Sequence, residues 1–214
     1  MVLEKQLEKK ARNKLMSKEL EVARELVKML EEKEKSDKVQ LSTLNPGETF
    51  KIGEHDFVVL EQKHDQTMVI SKGFMAEDKS FDSNTRDYNN SSLKKLIESD
   101  IQPIIEDEVG ADNLVEHGAD LTSVDMQNEF GTCRCKVRPI TFDEARKYND
   151  LLVNEDLDDW WWTCTPWSTN ERGWTYSIAV VSSSGCIDNG RCDGDYGVRP
   201  FCILKSNIFV SKGE

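Results

Sequence analysis

The spacing of apolar residues switches from near 3.6 to 2 close to residue 40, and that switch limits the fold more than any single motif does. Residues 1 to about 36 are rich in Glu, Lys, Leu and Ala and carry no Gly or Pro before Pro46. Such a stretch favours helix at nearly every position and predicts one helix of about 30 residues. Leu3, Leu7, Ala11 and Leu15 recur every four residues; Met16, Leu20, Ala23, Val27 and Leu30 then follow a 4-3-4-3 rhythm. That rhythm is the seam of a coiled coil. Residues 1–38 are therefore read as an N-terminal helix and oligomerisation segment, dimeric or trimeric; the alternatives are a helix packed on its own domain or a solvated stalk.

Beyond Leu41 the period becomes 2. Thr49–Ile52, Phe57–Gln62 and Thr67–Ser71 read as short strands, and Asn45-Pro46-Gly47, Gly53-Glu54 and His64-Asp65 supply the turns. Short helices follow. Asn89-Asn90-Ser91-Ser92 caps one over Leu93–Ser99, Pro103 starts a second that stops near Gly110, and Thr141 with Glu144 forms a capping box for Phe142–Tyr148. Strands return at Trp174–Ser182, around Cys186-Ile187 and at Val198–Leu204, with Asp188 to Asp195 read as a Gly- and Asp-rich loop. The expected fold class is thus α+β: an N-terminal helix joined to one domain over residues 41–211.

Composition narrows the partners. Lys plus Arg number 28 against 40 Asp plus Glu, a net charge of −12, which disfavours nucleic acid and anionic lipid. No run approaches the ~20 apolar residues of a membrane helix, and the Lys/Glu-rich N-terminus lacks the apolar core of an export signal. No membrane insertion is expected, and the location is read as cytoplasmic or virion-associated. The six cysteines, Cys133, Cys135, Cys164, Cys186, Cys192 and Cys202, are read mostly as reduced thiols, because a chain of this length folds without disulfides.

Catalytic signatures are weak. His55, His64 and His117 are the only imidazoles and sit in no recognisable motif, so each reads as a surface or turn residue. Neither a P-loop nor GxGxxG occurs. Cys133-x-Cys135 is a lone pair, better explained by a strand that places both thiols on one face than by zinc. Asp188, Asn189, Asp193 and Asp195 are hard oxygen donors of the kind Ca²⁺ takes, but their spacing is not that of an EF-hand and a solvated turn explains them. No metal and no cofactor is assigned.

The aromatic residues rise above this background. All five tryptophans fall between Trp160 and Trp174. Trp160, Trp161 and Trp162 in succession cannot all face one side of a strand, so at least one is expected in the core. Trp167, Trp174, Tyr176 and Tyr196 lie in or beside loops with Asn170, Arg172 and Arg191, a composition typical of recognition surfaces.

Three segments carry a resemblance: Trp160-Trp161-Trp162-Thr163-Cys164-Thr165-Pro166, Ser182-Ser183-Ser184-Gly185 and Tyr196-Gly197-Val198-Arg199-Pro200-Phe201. Together with Pro46-Gly47-Glu48-Thr49-Phe50, Asp120-Leu121-Thr122-Ser123 and Thr141-Phe142, they make residues 41–211 resemble small bacterial and phage proteins with a C-type-lectin-like fold, related to formylglycine-generating enzymes. Several members of that family are variable proteins of diversity-generating retroelements, in which adenines in the codons of the last strands and loops are randomised. The resemblance implies a non-catalytic ligand-binding module with a variable region over about residues 160–200, encoded by a phage or prophage. By position between the framework motifs, it implies Cys164, Trp167, Asn170, Glu171, Arg172, Trp174, Tyr176, Asp188, Arg191, Cys192, Asp195 and Tyr196 as variable, ligand-contacting residues, facing an unknown protein or cell-surface ligand. The catalytic motif of the formylglycine enzymes and the EPN, QPD and WND calcium motifs of sugar-binding lectins are absent. Two rivals remain: an enzyme of the formylglycine-generating type using Cys186, Cys192 or Cys202, and an assembly protein of a phage particle that docks through its helix.

Overall fold

The computed structural model describes residue 16 and residues 18–29, 38–168, 170–173 and 176–213. Two units divide the chain, Met1–Lys38 and Val39–Glu214. In the first, α1 is helical over residues 18–29; the remainder of the expected N-terminal helix lies outside the described residues.

The second unit is mixed α+β, with most of its elements strands. After β1 (Lys38–Gln40), the alternating pattern gives β2 (Thr49–Ile52), β3 (His55–Lys63) and β4 (Gln66–Ser71), paired as an antiparallel meander. β5 (Ala76–Ser80) follows, and then a helical stretch, α2 (Ser92–Leu96) running through a wide π turn (Ile97–Ile101) into α3 (Gln102–Val109). Ser91 caps it, its hydroxyl accepting from the Lys94 N–H at 3.1 Å. Two helices were expected here; the structure joins them. Pro103 cannot donate a hydrogen bond to the preceding turn, and the π turn widens the helix where that bond is missing instead of ending it.

A ribbon of β6 (His117–Asp120) and β7 (Thr132–Cys135) leads to β8 (Val137–Pro139) and to α4 (Phe142–Lys147), whose Thr141–Glu144 capping box is formed in both directions. After α5 (Asn149–Leu152) come β9 (Trp161–Pro166), β10 (Ser177–Val181), β11 (Ile187–Arg191), β12 (Asp195–Val198), β13 (Pro200–Lys205) and β14 (Phe209–Lys212). One sheet has the order β1-β14-β2-β3-β4-β13-β8, the other β11-β10-β9-β12-β5. The chain passes from the second sheet to the first at Arg199, between β12 and β13.

Two hydrophobic cores form, one on each side of these strands. Phe57, Val59, Val69, Trp162, Ile178, Val180, Cys202 and Leu204 point into the larger core with Leu93, Ile97, Ile101 and Ile105 of the helical stretch. Val58, Leu60, Ile70, Trp161, Val181, Phe201 and Ile203 point into the smaller one with Ala145 and Leu152 of α4 and α5. Strands buried on both faces need apolar residues at consecutive positions, which is why β13 (PFCILK) and β10 (SIAVV) show no alternation.

Two elements differ from expectation. Asp188 to Asp195 is no open loop: Ile187–Arg191 is an edge strand paired over five positions with β10, followed by a tight turn and β12. Backbone pairing outweighs the low strand propensity of Asp, Asn and Gly there. His117 is no surface residue either. It sits on β6, its ring edge-on to Phe201 at 5.5 Å, and its Nε2 accepts from Arg138 Nε at 3.1 Å. Cys133 and Cys135 are both buried on one face of β7, as a strand of alternating residues requires.

Buried arginines tie the helices to the sheets. Arg138 pairs with both carboxylate oxygens of Glu144 at 2.7 and 2.6 Å and lies over the Phe201 ring. Arg199 donates from Nε to the Ser71 carbonyl at 2.9 Å and from Nη1 to the Leu152 carbonyl at 2.8 Å, with its guanidinium over Trp161. It faces carbonyls and an aromatic ring instead of a carboxylate, and burial pulls its pKa down to about 10.

Candidate functional site

Three strands of the second sheet, β9, β10 and β11, end together, and the segment joining β9 to β10 crosses that end. The Trp167 N–H donates to the Ser177 carbonyl at 2.9 Å, closing the segment at its base. Ser177 is paired with Arg191 across the β10–β11 ladder, and the Cys192 N–H donates to the Tyr176 carbonyl at 2.7 Å. These bonds bring Trp167, Tyr176 and Arg191 to one edge. Between them, Asn170–Arg172 form a single 3-10 turn closed by the Gly173 N–H on the Asn170 carbonyl at 3.0 Å.

Framework residues far away in sequence hold this turn. Arg86, 3 % exposed, donates from Nη1 to the Ser168 carbonyl and from Nη2 to Asn170 Oδ1 at 3.0 Å, and lies over the Phe130 ring. Glu129 lies 3.4 Å from Arg86 Nη2 and also accepts from the Asn170 side-chain amide at 3.2 Å. Asp125 accepts from the Ser168 hydroxyl at 2.6 Å and pairs with Arg172 at 3.6 Å. Burial pushes the Asp125 pKa up, but hydrogen bonds from Ser123 and Ser168 and the Arg172 charge hold it below the usual carboxylate range. Two adjoining recesses result. One of about 410 Å³ is lined by Val124, Asp125, Trp167, Ser168 and Arg172; the other, of about 390 Å³, is lined by Gln127, Asn128, Glu129, Asn170 and Glu171.

The proposed contact residues separate into distinct groups. Asn170, Glu171, Arg172, Tyr176 and Arg191 are exposed and Trp167 is half-buried, all around the end of the three strands. Asp195 is exposed just across the Cys192–Gly194 turn from Arg191, whereas Asp188 is exposed farther along β11, opposite Val180. Tyr196 is half-buried, edge-on to Trp162 at 4.7 Å. Its ring fills the space that a side chain at Gly190 would occupy, with only 2.7 Å to a Cβ there. Trp174 lies outside the described residues.

Cys164 and Cys192 require a correction. Both are fully buried in the larger core and cannot touch a ligand. Cys164 belongs to the same face of β9 as Trp162, and Cys192 is held beneath the turn by bonds to Tyr176 and to the Asp82 N–H. Small, moderately apolar thiols suit such sites. Cys186 is exposed, and all six cysteines are free thiols.

Asp188, Asn189, Asp193 and Asp195 do not converge. Asp193 is engaged by Arg191 at 2.9 and 2.8 Å, and Asp188 accepts from the Asn189 N–H at 2.7 Å. Among the described residues, no group of three or more His, Cys, Asp or Glu side chains is arranged to hold a metal ion, and no helix is long and apolar enough to cross a membrane.

Sequence reasoning missed Arg86, Asp125 and Glu129. Each is an isolated polar residue roughly 40 or more positions from the turn it holds, and no local pattern marks it.

A family model described as a domain of unknown function (DUF6273) matches residues 106–206, which takes in β6 to β13 and the whole candidate patch. No curated protein and no solved structure matches the chain.

Proposed function

We propose that this chain is a non-catalytic ligand-binding protein: a C-type-lectin-like scaffold that displays exchangeable side chains, as the variable proteins of diversity-generating retroelements do. The observation that carries the reading is the contrast at the end of β9, β10 and β11. Exposed Asn170, Glu171, Arg172, Tyr176 and Arg191, with half-buried Trp167, surround a turn that buried Arg86 pins from beneath through the Ser168 carbonyl and the Asn170 side chain. A rigid base with aromatic and adaptable polar groups above it suits binding at low ordering cost.

The segments behind the resemblance also support the scaffold assignment by packing on one another. Gly197 of the GVRP segment pairs with Trp161 of the WWWTCTP segment, and Arg199 lies over the Trp161 ring. The glycine of the SSSG turn has a φ of 81°, and its carbonyl accepts from the Asn149 side chain at 2.8 Å. Gly197 has no room for a Cβ, because Phe74 would meet it at 2.4 Å. These are frame positions, and the variable set shrinks to the exposed ones. In this reading the partner is an unknown protein or cell-surface ligand, the protein acts in the cytoplasm or on a virion, and α1 joins copies so that weak contacts add through effective concentration.

The test is the neighbouring DNA. The reading expects a reverse-transcriptase gene and a near-duplicate of the segment encoding residues 160–200, differing from it at adenines in the codons of exposed residues such as Asn170, Arg172 and Tyr176. A locus without them, or with differences concentrated in the codons of Trp161, Trp162 and Arg199, overturns it.

A further inference from the structure

The described part of α1 shows its apolar side chains to solvent: Met16, Leu20 and Val27 are 63, 54 and 53 % exposed. With Ala23 they form one stripe, alternating between the d and a positions of a heptad. Val22, Leu26 and Met29, 64, 56 and 65 % exposed, widen the apolar face on one side. A continuous exposed apolar stripe of this kind marks an interaction surface.

Charge placement selects what covers it. With Leu20 and Val27 at a, Glu19 takes a g position and Arg24 the following e position. In a parallel, in-register pair, a g side chain meets the e side chain five residues on in the other helix, so Glu19 faces Arg24 of the partner subunit, once on each edge of the seam. An antiparallel pair sets g against g and e against e, which leaves Glu19 and Arg24 on different edges. We propose that α1 docks on α1 of a second copy of this chain, parallel and in register, with Glu19 opposite the partner's Arg24. The inference rests on the reading of α1 as an oligomerisation helix and gives it an orientation: parallel helices start both displayed domains from the same end of the seam.

The full chain tests this by sedimentation equilibrium, with orientation read by cross-linking. The expected mass is a small integer multiple of the monomer. Glu19→Arg and Arg24→Glu should each weaken association by roughly 3- to 10-fold, and the double exchange should restore it. In a Cys186→Ser background, Leu20→Cys and Ala23→Cys chains should each cross-link to themselves on diamide oxidation faster than to one another. A strictly monomeric chain overturns both the oligomerisation reading and the geometry. Preferential Leu20→Cys to Ala23→Cys linkage, or a double exchange that fails to restore association, overturns the parallel geometry alone. The adenine-difference test of the neighbouring DNA is independent of either outcome, so a failure here and a failure of the proposed function are told apart.

Discussion

Trp161 and Trp162, neighbours on β9, fill two separate cores, and only one of their indole N–H groups has an acceptor. Trp162 donates to the Lys79 carbonyl at 2.6 Å and packs against Phe81 and Tyr196, whereas the Trp161 N–H, buried beneath Arg199, meets no acceptor among the described residues. Burying an unpaired donor costs free energy, and here the ring also receives the Arg199 guanidinium on its face. Replacing each indole by Phe should therefore give unequal results. Trp162→Phe orphans a carbonyl and should cost more, by ~1–2 kcal/mol, than Trp161→Phe, which removes an unpaired donor. Urea unfolding of the two variants measures the difference, and both Ala variants should lose ~3–5 kcal/mol.

Arg86 pins the turn at Asn170–Arg172. Removing it leaves the Ser168 carbonyl without its donor and Glu129 without its buried partner. Arg86→Ala is expected to destabilise the domain by ~3–5 kcal/mol, and Arg86→Lys to recover little, because one ammonium cannot reach Ser168, Asn170 and Glu129 together. Hydrogen exchange should rise first in residues 168–173. By contrast, Tyr176→Ala, at a residue 50 % exposed, should change stability by no more than ~0.5 kcal/mol.

Acid should weaken the fold through His117. Arg138 always donates, so His117 Nε2 must accept; the imidazole is neutral and donates from Nδ1 to the Val115 carbonyl at 3.1 Å. Burial, and then the Arg138 charge, pushes its pKa down to about 4, against the favourable pull of Val115, Glu144 and Glu116. Unfolded, the same ring titrates near its ordinary value of 6.5. Between these values the unfolded chain binds the proton more readily than the folded one. Stability attributable to this residue is complete above about pH 6.5 and falls away as the pH drops toward 4, by ~2–3 kcal/mol in all. His117→Gln should flatten that part of the stability curve in urea titrations at pH 4.5 and 7; an unchanged slope refutes the assignment.

Thiol reactivity should separate one cysteine from five. Cys186 is exposed, while Cys133, Cys135, Cys164, Cys192 and Cys202 are buried. Burial pushes Cys164 and Cys202 up to about 12, which removes the reactive thiolate at neutral pH. In the native protein, one thiol per chain should react rapidly with an aromatic disulfide reagent, and all six after denaturation. Fast native labelling of Cys192 would return it to the surface set.

Local chemistry made several elements legible from the sequence. The alternating residues of β2 to β4, the Ser91 cap and the Thr141–Glu144 capping box depend on neighbours within a few positions, and each appears close to where the pattern predicts it. The triple tryptophan likewise required partition between opposite faces, since successive side chains on a strand point in opposite directions. Its composition set the acidic charge, and the change of period near residue 40 set the α+β class. Tertiary structure decided the rest. Asp188 to Arg191 became a strand because β10 offered it a ladder, and Cys164 and Cys192 became core residues because strand register and a turn directed them inward. Arg86 became the base of the patch only when the fold carried it to Ser168, 82 positions away. Burial and long-range pairing are properties of the assembled chain, and no spacing in the sequence encodes which distant carbonyl a buried guanidinium will find.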